Sequence, residues 1–162
     1  MHEGNAAMDP ERLLFDIWLV SRATEALLDE ALASAGLTAD EFALHSALHH
    51  AAPVTPSRLA ELLALPPTTV STHVRRLERR GALERLPNPD DGRSAFLRLT
   101  PAGEATYQRA RTLFLPVHAR IATSLGAAAA DVQASLATLD RAVRQARDGR
   151  ESAPTRGCPE GT

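Results

Sequence analysis

Two consecutive prolines, Pro66-Pro67, stand between two short stretches of helical periodicity and constrain this chain more than any other feature. Proline has no N–H to donate and its ring clashes with the preceding turn, so no helix runs through the pair. The second proline instead suits the first position of a new helix. Upstream, Thr55-Pro56 supplies a hydroxyl cap and a proline start to a helix carrying Leu59, Leu62 and Leu63. Downstream, Val70, Val74 and Leu77 recur at helical spacing until Gly81 stops the run. Two short helices, over about 56–64 and 67–80, joined by so tight a break form a helix-turn-helix.

The flanking segments extend this unit. Leu83-Glu84-Arg85-Leu86 and Phe96-Leu97-Arg98-Leu99 alternate as strands do, and Pro87-Asn88-Pro89-Asp90-Asp91-Gly92-Arg93 between them is dense in turn residues. The expected two-stranded hairpin makes the helix-turn-helix a winged one. Thr38-Ala39-Asp40-Glu41 is a capping box for a helix to about Ala51, with Phe42, Leu44, Ala47 and Leu48 inward and Pro53 closing it. Asp9-Pro10-Glu11 opens a long first helix bearing Leu13, Leu14, Ile17, Val20, Leu27, Leu28, Ala31 and Leu32, and Gly36 ends it. Thr100-Pro101 opens another helix to about Leu125, with a bend expected at Pro116 and a break at Gly126. The last helix, about 128–148, carries Val132, Leu136, Leu139, Val143 and Ala146 in a coiled-coil-like seam.

The expected fold is therefore mainly α with a small β-hairpin. A winged helix-turn-helix lobe over 37–100 is flanked by long terminal helices over 9–36 and 101–148. Residues 1–8 and 149–162 carry no periodicity and read as disordered ends.

Charge at first opposes a nucleic-acid role: 20 acidic residues against 18 basic ones give a net charge of −2. All 18 basic residues are Arg, and alanine occurs 30 times, a bias that fits GC-rich codons. Placement matters more than the total. Arg58 to Arg98 holds eight Arg and five acids, a basic stretch within an otherwise acidic chain. Apolar residues at 44% suffice for a core, and aromatics at 4% mean that Leu, Val and Ala build it. No apolar run approaches a membrane span of roughly 18–20 residues. The N-terminus lacks the basic and apolar regions of a signal peptide. Cys158 alone permits neither an internal disulfide nor a thiolate zinc cluster. A cytoplasmic protein is expected. There is no Gly-rich phosphate loop, Gly-x-Ser-x-Gly or His-Glu-x-x-His, and no convergent acid, base and nucleophile, so neither catalysis nor a cofactor is expected.

The second short helix, with Val70, Val74 and Leu77 turned inward, offers Thr68, Thr69, Ser71, Thr72, His73, Arg75, Arg76 and Arg79 outward. Small hydroxyl residues at its start allow close entry into a major groove. Arginines one and two turns later can reach guanine edges or phosphates. At the hairpin tip, Arg93 suits the narrow, electronegative minor groove, and Asp91 could pair with an Arg and hold it extended.

These residues resemble the MarR (multiple antibiotic resistance regulator) family. The resemblance lies in Leu59-Ala60-Glu61-Leu62, the stretch from Val70 to Arg85, Asp90-Asp91-Gly92-Arg93, and Leu97-Arg98-Leu99-Thr100-Pro101-Ala102-Gly103, with Gly36-Leu37-Thr38 before the second helix. It covers about 10–148 and is most specific between 55 and 104. It implies a homodimeric winged-helix regulator of transcription, usually a repressor, whose terminal helices interlock. Carried over by position, the recognition residues are Thr68, Thr69, Ser71, Thr72, His73, Arg75 and Arg76, and the wing residues Asp91 and Arg93. The residues agree on a seam: Leu13, Ile17, Val132, Leu136, Leu139 and Val143 would leave a large apolar surface on a monomer. Double-stranded DNA with a pseudo-palindromic site and a second copy of the chain are the expected partners.

Relatives commonly bind a small phenolic or anionic effector. Trp18 and Arg22, four apart on the first helix, with His45, His49 and Arg111, are candidates for such a site. The competing assignment makes Trp18 core and Arg22 half of a surface ion pair. His45 and His49 could share a helix face, but zinc needs three or four ligands, so no metal site is expected. A zinc-responsive regulator and a winged-helix module for protein contact without DNA stay open as alternatives. Cys158 lies in the tail with no partner, which disfavours a redox sensor.

Overall fold

A computed structural model describes residues 10–89 and 91–151. Helix α1 spans Pro10–Leu32 and passes through a 3-10 turn, Ala33–Ala35, into Gly36 at φ 70°. Helix α2 spans Ala39–Ala51, α3 Pro56–Leu63 and α4 Pro67–Arg79. Strands β1 (Leu83–Pro87) and β2 (Ala95–Leu99) form the hairpin. Helix α5 runs Pro101–Leu125 and includes Pro116; a 3-10 turn, Gly126–Ala128, separates it from α6, Ala129–Glu151. The expected order and type of every element are present. The readings of 1–8 and of the tail beyond 151, Cys158 included, lie outside the described residues.

Local chemistry explains these boundaries. The expected capping box at α2 is formed: Thr38 Oγ1 accepts the Glu41 N–H at 3.2 Å, and Glu41 Oε2 accepts the Thr38 N–H at 3.2 Å. Thr55 caps α3 at the Arg58 N–H. Ala64 ends α3 in the left-handed region, at φ 52°, which turns the chain within a few residues into α4. The strands pair antiparallel, with Leu83 opposite Leu99 and Arg85 opposite Leu97.

The chain divides into two units, Met1–His118 and Ala119–Thr162. The first holds a core of Leu32, Leu44, Leu48, Leu59, Val70, Val74, Leu77 and Leu97, each no more than 1% exposed. The inward residues expected on α2 and α4 are in it, except Ala47, which is half-buried at its edge. This core exceeds the 37–100 drawn from sequence. Leu32 closes it from α1, and Gly103, Tyr107 and Ala110 close it from the start of α5. Phe42 stacks on Tyr107 at 5.8 Å and meets Phe114 at 5.0 Å, fastening α2 to α5.

On α1, Leu14, Phe15, Trp18 and Val20 are more than half exposed, and Leu13 and Leu19 are exposed too. In the second unit, Leu136 is 56% and Val143 50% exposed, with Val132 and Leu139 half-buried. The stretch Pro101–Arg147 contains an 18-residue window of mean hydropathy 1.2, long and apolar enough by composition to cross a membrane. The window is an average interrupted by polar residues, not a continuous apolar run. The mean arises because alanine and leucine are averaged around a few polar residues.

Candidate nucleic-acid interface

The turn between α3 and α4 is fixed from both sides. The Leu65 N–H donates to the Ala60 carbonyl at 3.1 Å and the Val70 N–H to that of Pro66 at 3.1 Å. Val70, Val74 and Leu77 press one face of α4 onto the core. The rest of the helix is thereby committed outward. Thr68, Ser71, Thr72, Arg75 and Arg76 are exposed, whereas Thr69 and His73 are half-buried at the edges of that face. No acid occupies the first turn of α4, so its N-terminal N–H groups and their partial positive charge are not offset locally. Thr72 Oγ1 donates back to the Thr68 carbonyl at 2.9 Å, which orients the hydroxyl and leaves its lone pairs outward.

The four arginines of this helix end divide into two pairs. Arg75 and Arg79 are exposed and carry no ion pair among the described residues. Arg76 and Arg80 turn to Glu41 at the start of α2: Arg76 Nε lies 3.1 Å and Arg80 Nη1 3.4 Å from Glu41 Oε1. Glu41 is 1% exposed. The sequence pattern assigns Arg75 and Arg76 the same outward role; in the fold Arg76 is held by Glu41 and Arg75 is not. In sequence Glu41 is legible only as the capping-box acid; its burial depends on α4, which no local pattern reports.

The wing joins α4 through a dense corner. Thr100 Oγ1 donates to the Gly81 carbonyl at 2.6 Å and accepts the Gly103 N–H at 3.2 Å, while the Thr100 N–H donates to the Ala82 carbonyl at 3.1 Å. Arg85 pairs with Glu78 of α4, and Arg98 with Glu84 across the strands. Val54 adds one isolated backbone bridge to β2, exchanging both hydrogen bonds with Leu97 at 3.3 and 2.8 Å. Its brevity hides it from any periodicity. At the tip, Asn88 Nδ2 donates to Ser94 Oγ at 2.7 Å. Asp91 Oδ1 accepts the backbone N–H of Arg93 at 2.9 Å, so Asp91 shapes the loop through the main chain, where a bond to a guanidinium was expected. Arg93 is exposed.

The candidate effector residues do not gather in one place. Trp18 is 56% exposed and stacks on Phe15 at 6.0 Å, against its assignment to the core. Arg22 pairs with Glu25, the surface ion pair weighed against a ligand contact. Arg111 is exposed on α5. His49 Nδ1 lies 2.8 Å from Glu104 Oε1, and its ring packs on Tyr107 at 4.5 Å. The hydrogen bonds from His49 and then Gln108 hold the Glu104 carboxyl below its ordinary pKa. A cleft of about 400 Å³ is lined by His49, Glu104, Glu84, Arg98, Leu48 and Leu99; of the five candidates only His49 reaches it.

His45 is fully buried. Its Nδ1 donates to the Glu41 carbonyl at 2.7 Å, and its Nε2 has no hydrogen-bond partner among the described residues. Burial lowers its pKa, against the smaller raising effect of the Glu41 carbonyl, so the ring is a neutral core group. Its partner on the helix, His49, faces Glu104. No group of three or more His, Cys, Asp or Glu able to hold a metal occurs among the described residues.

Comparison with known proteins gives one family. The MarR family profile matches residues 35–94. The multiple antibiotic resistance protein MarR of Salmonella typhimurium is 33% identical over 89 residues, 55% of this chain and 62% of that protein, so the match spans less than two thirds of that relative. MarR of Escherichia coli is 32% identical over 97 residues, 60% of this chain and 67% of its own. A crystal structure of a mutant of E. coli MarR complexed with operator DNA has a TM-score of 0.70 at 30% identity, covering 82% of this chain and 93% of the other. The PcaV transcriptional regulator from Streptomyces coelicolor, in complex with its natural ligand, has a TM-score of 0.64 at 25% identity, covering 91% and 99%.

Proposed function

The chain belongs to the MarR family, and we propose that it is a homodimeric regulator of transcription that binds double-stranded DNA by sequence. We further propose that it is a repressor whose DNA affinity responds to a small-molecule ligand. The observation that carries this is the outward face of α4, where Thr68, Ser71, Thr72 and Arg75 are exposed on a helix seated by Val70, Val74 and Leu77. Such a helix presents hydroxyls and a planar cation to a major groove. Thr69 and His73 flank this face. Arg93, exposed on a wing tip shaped by Asp91, is the proposed contact to an adjacent minor groove or phosphate. The E. coli relative in complex with operator DNA supports the assignment.

The dimer is proposed from exposed apolar side chains on both units: Leu13, Phe15 and Trp18 on α1, and Leu136 and Val143 on α6. Water-exposed residues of this size mark a surface covered by another chain. A ligand is proposed from the PcaV complex. It can alter DNA affinity only by binding one arrangement of the recognition helices more tightly than another.

The test is a gel shift of the protein against DNA upstream of its own coding region, at two salt concentrations. Specific, salt-weakened binding is expected. Absent or salt-insensitive binding would replace this function with that of a protein-contact module.

A further inference from the structure

Glu41 lies on α2, outside the helix proposed to read DNA, yet it holds that helix at two points. Oε1 receives Arg76 at 3.1 Å and Arg80 at 3.4 Å, and Oε2 receives the Thr38 N–H at 3.2 Å. The carboxylate side chain is 2% exposed, while the two arginine side chains are 45% and 43% exposed. Arg76 and Arg80 are four apart, one turn of α4. A single buried acid thus pins the same edge of α4 at successive turns and sets its roll on the lobe. Burying an ion pair contributes little net stability, because desolvation offsets the Coulomb gain; its best-attested return is a fixed register. Here the register sets which side chains of α4 face outward. The pairing also occupies two guanidiniums that would otherwise be available to any phosphate.

We propose that Glu41 is a specificity-determining positioning residue: it fixes the roll of α4 and withholds Arg76 and Arg80 from indiscriminate phosphate contact, leaving Arg75 and the hydroxyl set to read bases. This rests on the DNA-binding function proposed above.

Glu41→Gln keeps an oxygen for the Thr38 cap and removes the charge. Binding of the full-length variant is compared on the upstream operator-bearing duplex and on a random duplex of equal length. The ratio of the two affinities is expected to fall about tenfold or more. The salt slope on random DNA is expected to steepen by about one unit as a released guanidinium takes a phosphate. A variant that is merely less stable loses active fraction equally toward both duplexes and keeps the ratio. An unchanged ratio in a folded Glu41→Gln therefore overturns the proposal. Arg80→Ala provides a second arm that does not depend on that variant folding. A guanidinium withheld from DNA can be deleted with no change in salt slope, and a slope shallower by about one unit overturns the proposal. If the wild-type chain binds no DNA, the proposed function fails and this inference with it. If the wild type discriminates and Glu41→Gln discriminates equally, only the inference fails.

Discussion

A Cβ on Gly103 would lie 2.0 Å from the carbonyl oxygen of Ala82. That oxygen already accepts the Thr100 N–H, so it cannot move aside without breaking the corner between β2 and α5. Gly103→Ala is therefore expected to destabilise the protein by about 1–3 kcal/mol, the usual cost of forcing a methyl into packed structure, measurable by urea unfolding. His45 makes a different prediction. Its pKa in the folded chain is lowered, so above about pH 6.5 both states are neutral and nothing is lost. As pH falls below that value the unfolded chain takes up a proton that the folded chain refuses, and stability declines until the folded pKa is passed. The slope is bounded by one proton, about 1.4 kcal/mol per pH unit. His45→Leu should flatten that part of a stability profile between pH 7 and 5; an equally steep profile would assign the dependence to other groups. Neither property is written in local sequence. Gly103 belongs to a recognisable stretch, but its reason is an oxygen on Ala82. His45 sits on a polar-looking step of α2, and only the packed lobe makes it core.

At the scale of elements, the boundaries were legible because short-range chemistry sets them. Pro56 and Pro67 start helices, Thr38 and Glu41 cap one, and Gly36 and Gly81 stop two, at φ 70° and 65°. The candidate reading face was half legible. A helical wheel separates Val70, Val74 and Leu77 from the outward side chains, but it cannot show that Arg76 meets Glu41 from another helix. Val54 escaped for the same reason, since one residue has no period and its rung depends on Leu97. The separation of Arg75 from the wing gives a paired test. Arg75→Ala is expected to cost about 1–3 kcal/mol of operator affinity if it pairs with a base edge, with a smaller loss on random DNA. Arg93→Ala should weaken binding to most sequences alike and lower the salt slope by about one unit or less. Unchanged DNA affinity in both variants would remove α4 and the wing from the interface.

At the scale of the whole molecule, a −2 chain can bind DNA only if its charge is unevenly placed and its reading elements act together. One helix of this length would contact only a few base pairs. Two copies related by a two-fold axis would double that contact and would require half-sites roughly 10 base pairs apart, or a multiple. Operator affinity should then depend on apolar residues that never approach DNA. Leu136 and Val143 on α6 are 56% and 50% exposed, so an acid at either place would not disturb a folded monomer's interior. It would bury a charge wherever a second copy covers that helix, at a cost of several kcal/mol. Val143→Asp is therefore expected to leave helical content and the winged-helix core intact. It should shift the mass measured by sedimentation toward one chain and weaken operator binding together with that shift. Binding to random DNA should suffer less, because phosphate contact does not require two half-sites in register. A variant that sediments as the wild type and binds as tightly would show that α6 is not the covered face, and would leave the exposed side chains of α1 to account for assembly.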